Sequence, residues 1–322
     1  MQFNPFKSCN KVTFMVQYAP VIYMNKKLKG SLCLLIGTVI WGSAFIAQSV
    51  GMDHIGPFTF QAVRCALAVV FLIPVSYLFE AKQYDFRSWA GKWADQKLWK
   101  TGIVCGAALF VAAGLQQVGL VYTTAGKAGF ITAMYIVMVP ILGLLFRKQP
   151  PIATWFSVVL ATAGLYLLSG AGVTAINKGD LLTLGSALAL AVQITLIDRL
   201  SGDLDGLRLN CIQSLVCSAL SAVMMFLSET PVMANILSCW LPLAYAGVLS
   251  MGVAYTLQII GQKHLEPAGA SLIMSLESVF AAVFGTLLLK EVMNTRELFG
   301  CVMVFAAVIL SQIPIPVTKR HD

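Results

Sequence analysis

The chain has 322 residues, of which 58% are hydrophobic and only 11% charged, against about 25% charged residues in ordinary soluble proteins. So little charge cannot cover a soluble surface of this size, which excludes a soluble enzyme, a disordered chain and a nucleic-acid-binding domain. The formal charge of +8 does not change this, because the basic residues lie in short stretches between long apolar runs rather than in one patch.

Residues 1–28 read as a cytoplasmic tail. Their weak apolar stretch, Val12 to Met24, is too short to span a membrane and has no clear small-residue cleavage site after it. Met24 precedes Asn25-Lys26-Lys27-Leu28-Lys29 and a long apolar run, so Met24 is an expected alternative start, with 1–23 an upstream extension or a tail. A membrane helix needs about 20 apolar residues to cross ~30 Å of hydrocarbon. Ten such runs follow, at 31–49, 57–79, 101–121, 128–146, 152–170, 180–198, 207–228, 239–260, 268–289 and 297–314. Apolar residues surround each run rather than forming one stripe, as expected of helices in lipid. The segment 80–100 carries Trp89, Trp93 and Trp99 among basic residues and predicts an interfacial helix.

Lysines and arginines set the orientation. With the N-terminus inside, 17 of them fall in inside segments, four in outside loops, and Arg64 within a span. The expectation is a multi-pass protein of the cell membrane with both termini cytoplasmic, the second tail being 315–322. The eight cysteines form no C-x-x-C pair and read as small buried side chains, and the three histidines lie far apart. No metal site and no cofactor are expected.

The chain repeats itself. Lys29-Gly30 before the first run matches Lys178-Gly179 before the sixth, an offset of 149 that also sets Arg64 against Gln213. Farther on the offset is 142: Leu115, Gln116, Gly119, Ala128, Ile131, Val137, Gly143, Leu145 and Lys148 recur as Leu257, Gln258, Gly261, Ala270, Ile273, Val279, Gly285, Leu287 and Lys290. Each copy holds five spans. Five is odd, so the second copy is upside down relative to the first. The expected fold is all-α and integral to the membrane: ten transmembrane helices as two inverted five-helix repeats, 29–170 and 171–314. Inverted repeats meeting at the bilayer midplane are an architecture of secondary transporters.

Several motifs resemble the EamA-like branch of the drug/metabolite transporter superfamily over about residues 30–314. They are Trp41-Gly42-Ser43-Ala44-Phe45, Phe60-Gln61-Ala62-Val63-Arg64, Ala128-Gly129-Phe130-Ile131-Thr132-Ala133-Met134-Tyr135 with Pro140 after it, and Leu276-Glu277-Ser278-Val279-Phe280-Ala281-Ala282 ending at Lys290-Glu291. The chain departs from the family at Ser278, where Pro is frequent, and at Lys148-Gln149, where Gly-Glu is frequent. The resemblance implies a ten-helix carrier without an ATPase and does not name the cargo.

A charge inside a span is costly and should face the bundle interior. Glu277, nine residues into the ninth run, is a candidate to bind a proton or a substrate ammonium; its alternative role is to bond a neighbouring helix. Arg64 could bind a substrate carboxylate, snorkel outward, or pair with a helix end or with Glu277. Trp41, Tyr135 and Tyr255 supply aromatic walls near mid-span. Gln116 and Gln258, with Gln48, Gln61, Gln117, Gln193 and Gln213, supply amides that could bind a solute or only join helices. Tyr135 aligns with Glu277 at offset 142, a geometric reason to expect both at one cavity. Pro140 is a candidate kink. Gly102 and Gly106 suggest helix packing. The expected function is secondary transport of a small metabolite by alternating access, export of an amino acid or a relative of one, with the proton as candidate coupling ion. The alternatives are a membrane-embedded enzyme or a channel, for which no motif is present.

Overall fold

The computed structural model describes residues 25–80, 85–123, 125–146, 150–168, 177–289 and 293–312. The expected tails, apart from 25–28, and the candidate start at Met24 lie outside these residues, as do 147–149 and 290–292. Among the described residues the regular structure is entirely helical.

Helix α1 (Lys26–Met52) starts at Asn25, whose side chain accepts a hydrogen bond from the Lys27 amide at 3.1 Å and so satisfies a helix-end donor. It is followed by α2 (Pro57–Glu80), the short α3 (Phe86–Gly91), a turn at Lys92–Ala94, and α4 (Gln96–Leu120). The interfacial segment is thus a six-residue helix and a turn, held to α2 by the Trp89 indole, which donates to Ser76 Oγ at 3.1 Å. Then come α5 (Ala125–Thr132), α6 (Tyr135–Leu145), α7 (Ile152–Leu168), α8 (Lys178–Leu200), α9 (Gly206–Ser228) and the short α10 (Met233–Ser238). The last third holds α11 (Trp240–Ala244), a π-helical segment (Tyr245–Ala254), α12 (Tyr255–Gln262), α13 (Pro267–Met274), α14 (Leu276–Leu289) and α15 (Thr295–Gln312).

Among the described residues, nine helical spans are long and apolar enough to cross a membrane. The expected run at 152–170 forms α7, an apolar helix of 17 residues, about 26 Å long.

Three spans are not the continuous α-helices the apolar runs suggest. The span over 127–145 breaks between α5 and α6, where Met134 N bonds Ile131 O at 3.1 Å and Ile136 N bonds Ala133 O at 3.0 Å. These i→i−3 bonds tighten the chain into a 3₁₀ turn, a frequent mark of a hinge. Pro140 lies inside α6, so the break precedes the proline rather than falling on it. The span over 267–287 breaks at Ser275 in the same way, with Ser278 N bonded to Ser275 O at 3.2 Å. The π segment of the span over 240–262 widens the backbone. Asn210 of α9 holds it there: its amide donates to Met251 O at 2.8 Å, Gly252 O at 3.0 Å and Thr256 Oγ1 at 2.9 Å.

Between lipid-embedded helices the hydrophobic effect gives little, so close contact through small residues and hydrogen bonds does the work. Helix α1 runs antiparallel to the span over 240–262, with Gly30 against Gly261 and Gly37 against Ala254. Helix α4 runs antiparallel to α8, with Gly119 against Gly179, and Ser186 Oγ donates to Ala112 O at 2.7 Å. Both crossings need bare glycine: a Cβ at Gly30 would lie 2.8 Å from Gly261 O, and one at Gly179 would lie 2.7 Å from Gly119 O. Gly102 and Gly106 pack on Ile212, Gln213 and Val216 of α9, the helix-packing role expected of them.

Helices α2 and α9 are antiparallel and clasped at both ends. Glu229, just past α9, accepts from the Phe58 and Thr59 amides at 2.8 Å each and from the Thr59 hydroxyl at 2.6 Å. A carboxylate at a helix N-terminus meets unpaired N–H groups and the positive dipole end. At the other end Glu80 takes two 2.9 Å bonds from the Arg208 guanidinium and one of 2.9 Å from Lys92.

Candidate functional site

A cavity lies among α1, α2, α4, α6, α8, the π segment, α12, α13 and α14. Trp41, Phe45, Gln48, Arg64, Ala113, Gln116, Tyr135, Leu190, Ile194, Ser250, Tyr255, Gln258, Met274 and Glu277 line it. Of the twelve side chains singled out from the sequence, eight are in this set, Trp41, Gln48, Arg64, Gln116, Tyr135, Tyr255, Gln258 and Glu277, while Gln61, Gln117, Gln193 and Gln213 are not. The cavity offers about 50 Å³ to the centre of a water molecule, room for roughly three to five waters or a comparably small solute.

Local structure sets each side chain. Tyr135 is the first residue of α6 and Glu277 the second of α14, so both emerge just after the breaks. The Tyr135 hydroxyl donates to Glu277 Oε1 at 3.3 Å. Glu277 is 8% exposed and Tyr135 2%. Among the described residues Tyr135 is the sole hydrogen-bond partner of Glu277, and the carboxyl has no ion pair.

Arg64 is 3% exposed. It neither snorkels nor pairs with Glu277. Its Nε donates to Gln61 Oε1 at 3.1 Å, Nη2 to the same oxygen at 2.5 Å, and Nη1 to Gln48 Oε1 at 2.7 Å. The guanidinium also lies 5.6 Å from the centre of the Phe60 ring. Two neutral amides therefore position a buried cation and leave its charge uncompensated.

Trp41 and Tyr255 meet edge to face with centroids 5.0 Å apart, a favourable aromatic geometry. The buried Trp41 indole N–H has no hydrogen-bond partner among the described residues. Gln116 donates to Thr132 Oγ1 at 3.3 Å and Gln258 to Gln193 Oε1 at 3.3 Å. The site thus combines an uncompensated cation, a carboxyl, aromatic walls and a free donor, the pattern of a pocket that orients a small polar solute.

Sequence reasoning did not single out Phe45, Ala113, Leu190, Ile194, Ser250 or Met274. Most were within reach of the repeat. Offset 149 pairs Trp41 with Leu190 and Phe45 with Ile194, and offset 142 pairs Ala113 with Tyr255. Ser250 had no signal, because nothing in Tyr245–Ala254 announces a π-helix.

The sequence pattern of the EamA-like transporter family matches residues 28–170 and again 177–312. The chain belongs to the EamA-like transporter family. This EamA-like protein is therefore a multi-pass membrane transporter and not an enzyme. It is 33% identical over 288 residues to an uncharacterised transporter of Archaeoglobus fulgidus, covering 88% of this chain and 86% of the relative. It is 23% identical over 295 residues to the uncharacterised transporter YwfM of Bacillus subtilis, covering 88% of this chain and 94% of that one. A solved crystal structure shares the fold, with a TM-score of 0.74 at 16% identity over 88% of this chain and 96% of the other.

Proposed function

We propose that this EamA-like protein is a secondary carrier that exports a small zwitterionic metabolite, an amino acid or a relative of one, across the cell membrane by alternating access. One observation carries the reading. Arg64 and Glu277 line the same cavity, and neither has a charged partner among the described residues. An α-amino acid brings the two missing charges: its carboxylate answers Arg64 and its ammonium answers Glu277. Trp41, Tyr135 and Tyr255 flank the remainder, and Gln116 and Gln258 add hydrogen bonds. With no substrate present, a proton on Glu277 removes the uncompensated charge, which makes the proton the coupling ion of this scheme.

The proposal includes ten crossings in two inverted repeats, 29–170 and 171–314, with both termini in the cytoplasm. Contacts between matched positions support it. Gly30 and Gly261 touch, and their counterparts Gly179 and Gly119 touch. Gln61 bonds Arg64, and their counterparts Asn210 and Gln213 bond each other at 2.9 Å. Glu80 reaches Arg208 at the start of α9, and its counterpart Glu229 reaches Thr59 at the start of α2. Matched positions 41/190, 45/194, 113/255, 116/258 and 135/277 line the cavity in pairs. Two near-equivalent halves around one site give two access states of similar energy, and a modest differential affinity then shifts their balance.

Purified protein in proteoliposomes should show saturable counterflow of a zwitterionic amino acid. Glu277→Gln and Arg64→Gln should each lower it about 10- to 150-fold, the worth of one charged hydrogen bond. Non-saturable flux would indicate a channel, and undiminished flux in both variants would refute the assignment of the two charges.

A further inference from the structure

Three glutamines lead away from the cavity. Gln258 lies on its wall. It donates to Gln193 Oε1 of α8 at 3.3 Å. Gln262 is one helical turn farther along α12, on the same face as Gln258. The three side chains are between 0% and 2% exposed. Yet four of their polar atoms have no hydrogen-bond partner among the described residues: Gln193 Nε2, Gln258 Oε1, and Gln262 Nε2 and Oε1.

Beyond Gln262 the helix ends at Lys263. There a vestibule of about 580 Å³ opens, lined by Lys26, Asp198, Lys263, His264 and Glu266 among others. Lys263 donates to the Leu204 carbonyl, and burial holds its ammonium below the usual lysine range against the pull of Asp205 and Asp203. The orphaned amides thus lie between a central cavity and an open, charged mouth.

Leaving a buried amide unpaired costs about 1–3 kcal/mol per group, and such groups in proteins are ordinarily satisfied by ordered water. The opposite half of the molecule differs. The positions matched to Gln193 and Gln262 are Ala44 and Leu120. The buried polar groups of that half that flank the cavity, Gln48, Gln61 and Arg64, satisfy one another or nearby chain atoms. Gln117 of that half also keeps both amide atoms unpaired, but it does not line the cavity; among the described residues the series from the cavity wall to an open vestibule is the one formed by Gln258, Gln193 and Gln262.

We propose that Gln258, Gln193 and Gln262 form a water-binding file that joins the central cavity to the vestibule at Lys263. The ligand is a short chain of water molecules, each taking two or more bonds from these amides. Such a chain also carries protons by successive hydrogen-bond exchange, so it supplies Glu277 from the vestibule side. The inference deepens the carrier reading, on which it rests for the role of the cavity.

Accessibility measured residue by residue tests it. In a background with the native cysteines replaced, single cysteines are placed by Gln193→Cys, Gln262→Cys, Ala44→Cys and Leu120→Cys. Lys97→Cys, exposed in the first turn of α4, marks the face. In sealed vesicles, a membrane-impermeant thiol reagent applied to the face where Lys97→Cys reacts should modify positions 193 and 262 about tenfold faster than positions 44 and 120, because only the former border water. Equal, slow reaction at all four would overturn the proposal, as would faster reaction at 44 and 120. If the cysteine-free chain does not fold, radiolytic hydroxyl-radical footprinting of the native chain replaces it. Side chains beside bound water are tagged first, so segment 256–262, which carries two of the amides, should be tagged about tenfold faster than segment 184–189 of α8, which has no cavity residue and no unpaired buried polar atom; equal rates would overturn the proposal. Neither readout involves a cargo. A failed Glu277→Gln flux test with intact labelling removes the substrate reading and leaves the water file standing.

Discussion

Replacing Gly179 or Gly30 by alanine drives a wedge into one of two matched helix crossings. At Gly179 the new Cβ would lie 2.7 Å from Gly119 O, 2.9 Å from Tyr122 Cβ and 3.0 Å from Thr123 N. These are backbone and Cβ atoms, which cannot rotate away. Restoring an ordinary contact of 3.4 Å to Gly119 O requires α4 and α8 to part by about 0.7 Å. A gap of that size forfeits roughly a quarter to a half of each dispersion contact along the seam, and overpacking of this kind costs about 1–3 kcal/mol. At Gly30 the distances are 2.8 Å to Gly261 O and 2.9 Å to His264 Cβ, so the wedge at the α1–α12 crossing is of similar size. In the proposed inverted topology the two crossings sit at opposite ends of the central cavity, where they would close opposite entrances. The two variants should therefore shift the balance of access states in opposite directions, each by about 5- to 150-fold. A single cysteine at Leu190, on the cavity wall, reports this through its rate of reaction with an impermeant thiol reagent from either face. Both variants should melt at lower temperature in detergent. A shift in the same direction for both, or no shift in folded protein, would refute the pairing of the crossings with the entrances.

Two further perturbations address the frame around the cavity. Glu80→Gln leaves the guanidinium of Arg208, 3% exposed, without its bidentate partner, and should destabilise the protein by about 3 kcal/mol in thermal unfolding; the double variant Glu80→Leu with Arg208→Leu should recover most of the loss. An unchanged melting temperature for Glu80→Gln would show that the clasp carries no net stability. Asn210→Leu removes the donor to the Met251 and Gly252 carbonyls at a cost of about 1–3 kcal/mol. It should also let the π segment revert toward α-helix, turning Ser250 and Tyr255 relative to the cavity. Lower stability with counterflow intact would confine Asn210 to a structural role.

Much of this protein was legible in the sequence, for one reason: lipid forbids unpaired backbone and charge. That constraint makes the spans visible as apolar runs and makes Arg64 and Glu277 stand out as charges within them. The register of the repeat adds the pairing of Tyr135 with Glu277, two matched positions whose side chains are hydrogen-bonded in the structure. The tertiary structure alone decided the rest. The breaks before Tyr135 and at Ser275 occur in spans of mean hydropathy 2.2 and 1.7, against 1.4 to 2.1 for the continuous ones, so apolarity does not mark them. The π-helix exists where Asn210, about 40 residues away, meets the Met251 and Gly252 carbonyls. Whether Arg64 snorkels, pairs with Glu277 or is cradled by Gln48 and Gln61 depends on how α1 lies against α2, and helix crossings are set by side-chain contacts far apart in the chain rather than by local periodicity.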